Sequence, residues 1–148
     1  MKKLLLPLIA LSFSSFAFSQ ARSLRVENQT SCTQYYIIVG DEWCKCGDKY
    51  YSPLIAIPPG GSHGYTTTMP LGGSFPAAVP KSISGAKIPD GPPGCMLPGS
   101  NVSEPCFGMP LSYTYMSYKD NCEKCAKTTA TWVPAPDCDG QAKLIFTP

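Results

Sequence analysis

The cysteines limit what this chain can fold into more than any other feature. All eight, Cys32, Cys44, Cys46, Cys95, Cys106, Cys122, Cys125 and Cys138, lie beyond residue 19. Residues 1–19 themselves have the pattern of a secretory leader. Lys2 and Lys3 form a positive start, Leu4, Leu5, Leu6, Leu8, Ile9, Ala10 and Leu11 an apolar stretch, and Ala17 and Ser19 the small residues that place cleavage before Gln20. Pro7 interrupts the apolar run, which is shorter than the ~20 residues that span a bilayer. The segment therefore reads as a leader, not an anchor, and no cysteine near the cleavage point offers a lipid attachment site.

An even number of cysteines in an exported chain points to disulfides. The alternative is zinc: Cys44-Lys45-Cys46 and Cys122-Glu123-Lys124-Cys125 pair into a four-thiolate set, and the second spacing is a common ligand spacing. One residue between Cys44 and Cys46 is tight for chelation, and an oxidising compartment turns such thiols into bridges. A redox-active Cys122/Cys125 pair is the weakest of the three readings. Spacing leaves ~105 connectivities open. Neighbours as close as Cys44 and Cys46 are expected to bond to different partners, while Cys95 and Cys106 are placed to close a local loop.

With the leader set aside, residues 20–148 make one domain, since single domains usually run to roughly 100–200 residues. Beyond the leader, ten Lys and Arg balance ten Asp and Glu, so the body carries no electrostatic footprint for nucleic acid or an anionic membrane. Hydrophobic residues make up 43% of the chain, while 16 prolines and 13 glycines argue against a helical bundle. Short runs rich in Val, Ile, Tyr and Thr, bounded by Gly, Pro or Asn, read as strands. They fall at 24–27, 35–39, 54–57, 63–69, 112–118, 128–133 and 143–146. The run 35–39, apolar on both parities, reads as a central strand covered on both faces. The turn at Pro58-Pro59-Gly60-Gly61 suggests a hairpin between 54–57 and 63–69. Residues 69–110 hold nine prolines and seven glycines, which predicts a long irregular excursion with, at most, a short strand at 75–79 or 82–88.

The run 24–27, Asn28, Cys32, the strand 35–39 and Ile57-Pro58-Pro59-Gly60-Gly61-Ser62 together resemble the opening strands of thaumatin-like β-sandwich proteins. The resemblance covers under a third of the chain. It does not extend to that family's acidic cleft or to most of its disulfide framework, so no functional residue is carried over. The expected fold class is all-β: an antiparallel β-sandwich, immunoglobulin-like or thaumatin-like in general style, stapled by disulfides.

Catalysis finds little support. His63 is the only histidine and sits in Gly60-Gly61-Ser62-His63-Gly64, with no carboxylate or nucleophile placed beside it by sequence. Asp41, Glu42, Asp48, Glu104, Asp120, Asp137 and Asp139 lie in turn-like segments without the paired geometry of a glycosidase. Asp137-Cys138-Asp139-Gly140 opens like a calcium loop but lacks the later oxygen ligands and the closing Glu, so it reads as a capped turn. No cofactor or metal is expected. In an endoplasmic secretory route, Asn28-Gln29-Thr30 and Asn101-Val102-Ser103 are glycosylation acceptors. Aromatics are the remaining feature, because Tyr and Trp combine apolar area with a polar tip. Trp43, Tyr50 and Tyr51 flank the charged turn 44–48 and are the candidate ligand-binding residues. The expected role is a non-catalytic exported binding module or structural subunit of a surface assembly, with a protein or a surface glycan as partner. Carbohydrate binding through Trp and Tyr is one alternative. A secreted enzyme inhibitor or toxin, inserting residues 94–98, is another.

Overall fold

The computed structural model describes residues 20–148, and the leader expected at 1–19 lies outside the described residues. Ten strands follow in order: β1 (Ser23–Asn28), β2 (Gln34–Asp41), β3 (Tyr50–Tyr51), β4 (Ile55–Ile57) and β5 (Ser62–Tyr65), then β6 (Ser82–Pro89), β7 (Gly99–Ser103), β8 (Ser112–Tyr118), β9 (Lys124–Val133) and β10 (Gln141–Thr147). The described residues contain no α-helix; single 3-10 turns at Met69–Leu71, Pro93–Cys95 and Pro105–Phe107 are the only helical elements.

Two five-stranded sheets result. The first runs β5-β1-β10-β9-β8, and the second runs β3-β2-β6-β7 with β4 also paired to β2; the pairing is not purely antiparallel as expected, because β1 and β10 pair in parallel. Alternation along each strand turns one side inward. Leu24 and Val26 of β1, Ala130 and Trp132 of β9, and Leu144 and Phe146 of β10 come from the first sheet. They share one core with Tyr36, Ile38, Ile83, Ile88 and Val102 from the second. The Tyr36 and Phe146 ring centroids lie 6.3 Å apart across the interior. Fully burying a side chain such as Phe146 stabilises the fold by about 1.5–3 kcal/mol. As its apolar sequence predicts, β2 is covered on both sides: Tyr36 and Ile38 face the core, and Tyr35 and Val39 are also buried.

The expected hairpin across Pro58–Gly61 does not form. β4 pairs with β2, whereas β5 pairs with β1, so this turn carries the chain from one sheet to the other. Gly61 N–H donates to Pro58 O at 3.0 Å, and Gly60 supplies the positive φ of 68° that a type II turn requires. Asn28 is what ties the crossing down. Its amide donates to Cys32 O at 2.8 Å and to Ile57 O and Pro58 O at 3.0 Å each, while its oxygen accepts from Thr30 N–H and Oγ1. With its amide fully engaged and 1% exposed, Asn28 is no glycan acceptor in the folded body.

Residues 69–110 are not merely an excursion. The stretch 75–79 forms no strand, but β6 occupies the middle of the second sheet, with Ile83, Ala86 and Ile88 in the core. The inward parity changes between Ile83 and Ala86 because the β2–β6 register slips there: Val39 faces Gly85, and Gly40 faces Ile83. Glycine is obligatory at Gly40, since a Cβ would stand 2.2 Å from Ser82 O.

All eight cysteines are bridged, as Cys32–Cys125, Cys44–Cys138, Cys46–Cys106 and Cys95–Cys122. Cys44 and Cys46 do take different partners, but Cys95 and Cys106 do not close a loop on each other. Each instead anchors part of the Pro/Gly-rich segment to a distant turn.

Candidate functional site

The three aromatics flagged by sequence end in different settings. Trp43, in the β2–β3 loop, is 43% exposed, and the Arg22 guanidinium sits over its ring at 5.9 Å from the centroid. Tyr50 packs on Phe75 at 5.7 Å between ring centroids and donates its hydroxyl to Glu42 Oε1 at 2.6 Å. Lys49 and Lys81 lie over the Tyr50 ring at 5.2 and 5.4 Å, and both ammonium groups pair with Glu42. Those contacts, Lys49 first, hold the Glu42 carboxyl down at about 2. Neighbouring strand residues face opposite sides, so Tyr51 turns away from Tyr50. Lys87 Nζ lies 4.3 Å from the centroid of the Tyr51 ring, and the Tyr51 hydroxyl donates to Asp48 Oδ2 at 2.8 Å. Burial and then that bond push the Tyr51 phenol up to about 12. Among the described residues no ring contact joins Trp43 to either tyrosine. The fold thus separates these side chains and sets a cation over each ring, where cation–π attraction holds it.

His63 lies on β5 rather than in a turn. Its Nδ1 is 2.7 Å from the Tyr36 hydroxyl, which is itself 3.0 Å from the Tyr65 hydroxyl. The ring, on an edge strand of the first sheet, is oriented by the buried Tyr36. Asp137 Oδ1 accepts the Asp139 N–H at 3.0 Å, so that segment is the side-chain-capped turn its sequence suggests.

Sequence reasoning misses Glu104. A single Glu between Ser103 and Pro105 reads as a turn carboxylate, yet it is 0% exposed. Its Oε1 accepts from Ala135 N–H at 3.0 Å, and Oε2 has no bonded partner among the described residues. The Trp132 indole lies beside the carboxyl without closing a bond of good geometry. Burial drives the carboxyl above its ordinary range against the pull of these two donors.

The feature with the form of a contact surface is the β6–β7 connection, residues 90–98. Asp90 N–H donates to Pro98 O at 3.1 Å and closes the loop at its base. The Tyr113 hydroxyl donates to Asp90 at 2.8 Å, and Cys95 is bridged to Cys122 in the β8–β9 turn. A Cβ at Gly91 would stand 3.0 Å from both Leu97 and Tyr118, so the chain is seated closely against β8. At the apex Met96 takes the left-handed conformation, φ 48° and ψ 38°, and is 93% exposed. A non-glycine residue held there is strained, and such strain clusters at functional positions. Below the apex run two adjoining clefts sharing Ile37, Pro89 and Leu97, with Leu54 lining one of them. The result is an apolar tip and an apolar floor on one side of the second sheet.

Comparison with protein-family models, with curated proteins and with solved structures finds no match. The functional reading therefore rests on the geometry of this chain.

Proposed function

We propose that this protein is a non-catalytic exported binding module whose contact element is the loop 90–98. The body is read as a β-sandwich, thaumatin-like or immunoglobulin-like in general style. Four bridges in so small a domain fit an oxidising compartment: the medium, the cell surface or a periplasm. The observation that carries the reading is Met96, a large apolar side chain 93% exposed on a loop fixed by a disulfide and by Pro92, Pro93 and Pro98. A partner pocket that buries this side chain gains about 1.5–3 kcal/mol. Because the loop is already ordered, little entropy is lost on docking. Methionine suits a pocket of irregular shape. A protein partner is favoured over a surface glycan, since the faces that sugars would stack on at Trp43, Tyr50 and Tyr51 carry Arg22, Lys49, Lys81 and Lys87. A fixed loop with an apolar apex also supports the narrower reading of an inhibitor of a secreted enzyme.

The test is retention of partners from the native envelope or medium on immobilised protein, followed by titration of whatever protein is retained. Met96→Asp is expected to weaken that protein's binding at least ~10-fold, about 1.4 kcal/mol, while Trp43→Ala leaves it unchanged. Equal affinity of Met96→Asp and the parent removes the loop from the contact. Loss in Trp43→Ala alone transfers the role to the 42–48 turn, with a polysaccharide as the next probe.

A further inference from the structure

We infer that β8 is a docking edge and that its partner is a second copy of this chain. The two copies pair β8 to β8 in antiparallel register, so that their first sheets run on as one. The contact lies outside the loop 90–98 and does not depend on what that loop binds.

β8 is an outer strand of the first sheet, paired on one side with β9. Trp132 N–H donates to Leu111 O at 2.7 Å. Opposed residues of an antiparallel pair alternate between exchanging backbone bonds and exchanging none. The register sets Tyr113 against Ala130 and Tyr115 against Thr128, so these tyrosines bond to β9. Ser112, Thr114 and Met116 therefore aim their N–H and C=O groups away from the sheet. Thr114 and Thr129 Oγ1 meet at 3.0 Å, the closer approach of a non-bonded pair. Pro110 O, of the same parity, faces outward and accepts from Ser103 N–H at 3.3 Å. β7 reaches no further along this edge. Among the described residues, no backbone bond from outside the sheet falls on Ser112, Thr114 or Met116, and all three are exposed.

Monomers keep their outer strands short or interrupt them with charge or Pro, and Gly weakens a strand. The other outer strands fit that rule: β3 has 2 residues, β5 has 4 with Gly64 among them, and β7 has 5 and starts at Gly99. β8 does not. Its 7 residues, Ser-Tyr-Thr-Tyr-Met-Ser-Tyr, include no charge, Pro or Gly, the composition of a segment that pairs with its like. Apolar surface gathers there too, since Met109, Leu111, Met116 and Val133 are all exposed on or beside this edge. An uncharged strand meets no repulsion from its own copy, and a two-fold axis at Thr114 matches every open group. Ser112 then faces the second copy's Met116, and Thr114 faces its equivalent, each pair exchanging both backbone bonds. Between them Tyr113 stands opposite the second copy's Tyr115, and aromatic and Thr–Thr pairs across strands are favourable. Such a contact closes on itself and stops at a dimer.

Sedimentation of the oxidised, exported protein between about 1 μM and 1 mM should show a monomer–dimer equilibrium. Amide hydrogen exchange at the two ends of that range should show protection of Ser112, Thr114 and Met116 that rises with concentration, while Tyr113 and Tyr115 are protected throughout. Thr114→Lys sets two ammonium groups against each other at the axis and should weaken the dimer at least ~10-fold; Thr114→Glu should do the same. Position 114 is exposed, so both variants should melt with the parent at low concentration, which separates lost pairing from lost folding. Mixing the two should restore a heterodimer. A monomer at every concentration, a dimer indifferent to Thr114→Lys, or no recovery on mixing overturns the inference. Protection of the same amides only when an envelope protein is added gives the edge to a foreign strand and also overturns it. Met96→Asp should leave the dimer unchanged, so failure here and failure of the loop's binding role are read separately.

Discussion

Two glutamates of this domain titrate in opposite directions, and the difference follows from what surrounds each. Glu104 is buried, so its carboxyl is raised chiefly by lost hydration, with the Ala135 N–H and the Trp132 indole pulling the other way. A group whose folded pKa is raised binds its proton more tightly in the native state. Its contribution is fully present below the unfolded carboxylate range of ~4.3 and is lost as pH rises through the folded value. Glu42, ringed by Lys49, Lys81 and Tyr50, is held down at about 2. Its contribution is present above the unfolded value and disappears as pH falls toward 2. Glu104→Gln keeps a neutral, hydrogen-bonding side chain in place. It is expected to flatten the decline of Tm as pH rises above the ordinary carboxylate range, whereas Glu42→Gln should flatten the acid limb only. A parent-like alkaline decline in Glu104→Gln would assign that slope to another group. Neither role is legible in the sequence, because a carboxylate's neighbours are set by chain crossings that spacing does not reveal. The clustering of Trp43, Tyr50 and Tyr51 in sequence misleads for a related reason: consecutive strand residues face apart.

At the scale of elements, strands announce themselves by composition, while pairing partners do not. The two-sided apolar run of β2 identifies a covered strand directly, since no other placement hides both Tyr35 and Tyr36. The turn at Pro58–Gly61 is equally plain, yet nothing local says that it joins two sheets instead of two neighbours. That choice is made by Asn28, some thirty residues away. β6 is obscured because Gly85 and Pro89 lower its strand character, though burial from Ser82 to Ala86 is complete. The loop 90–98 draws its order from four contacts, of which the Cys95–Cys122 bridge is the one that can be cut without touching the core. It encloses a sequence separation of 27, for which chain entropy suggests about 3.5 kcal/mol. The double variant Cys95→Ala/Cys122→Ala is expected to lose about that much by urea denaturation, and to be cleaved by proteases within 90–98 well before the parent. Unchanged proteolysis would mean that the Asp90–Pro98 and Tyr113–Asp90 bonds hold the loop unaided.

Taken whole, the molecule is two modest sheets held by cross-links that join sequence-distant turns. Three of the four bridges span separations of 60 or more residues, at 93, 94 and 60. They connect the β1–β2 turn to β9, the β2–β3 loop to the β9–β10 turn, and that same loop to the turn after β7. Loop-closure entropy grows with the logarithm of the enclosed length, so these placements restrict the unfolded chain more than local bridges would. At about 2–4 kcal/mol each, the four together are worth roughly 8–16 kcal/mol, comparable with the ~5–15 kcal/mol net stability of ordinary domains. The oxidised sulfur was legible from the cysteine count, while its connectivity was not, because each partner lies where the two sheets bring distant turns together. The consequence is a sharp dependence on redox state. A fully reduced and alkylated chain is expected to lose its near-ultraviolet circular dichroism and bind a hydrophobic dye at 37 °C, although every core residue from Leu24 to Phe146 is still present. A reduced chain that keeps a cooperative melt within about 5 °C of the oxidised one would show that the core alone suffices. The bridges would then serve chiefly to hold the irregular segments, the 90–98 loop among them, in place.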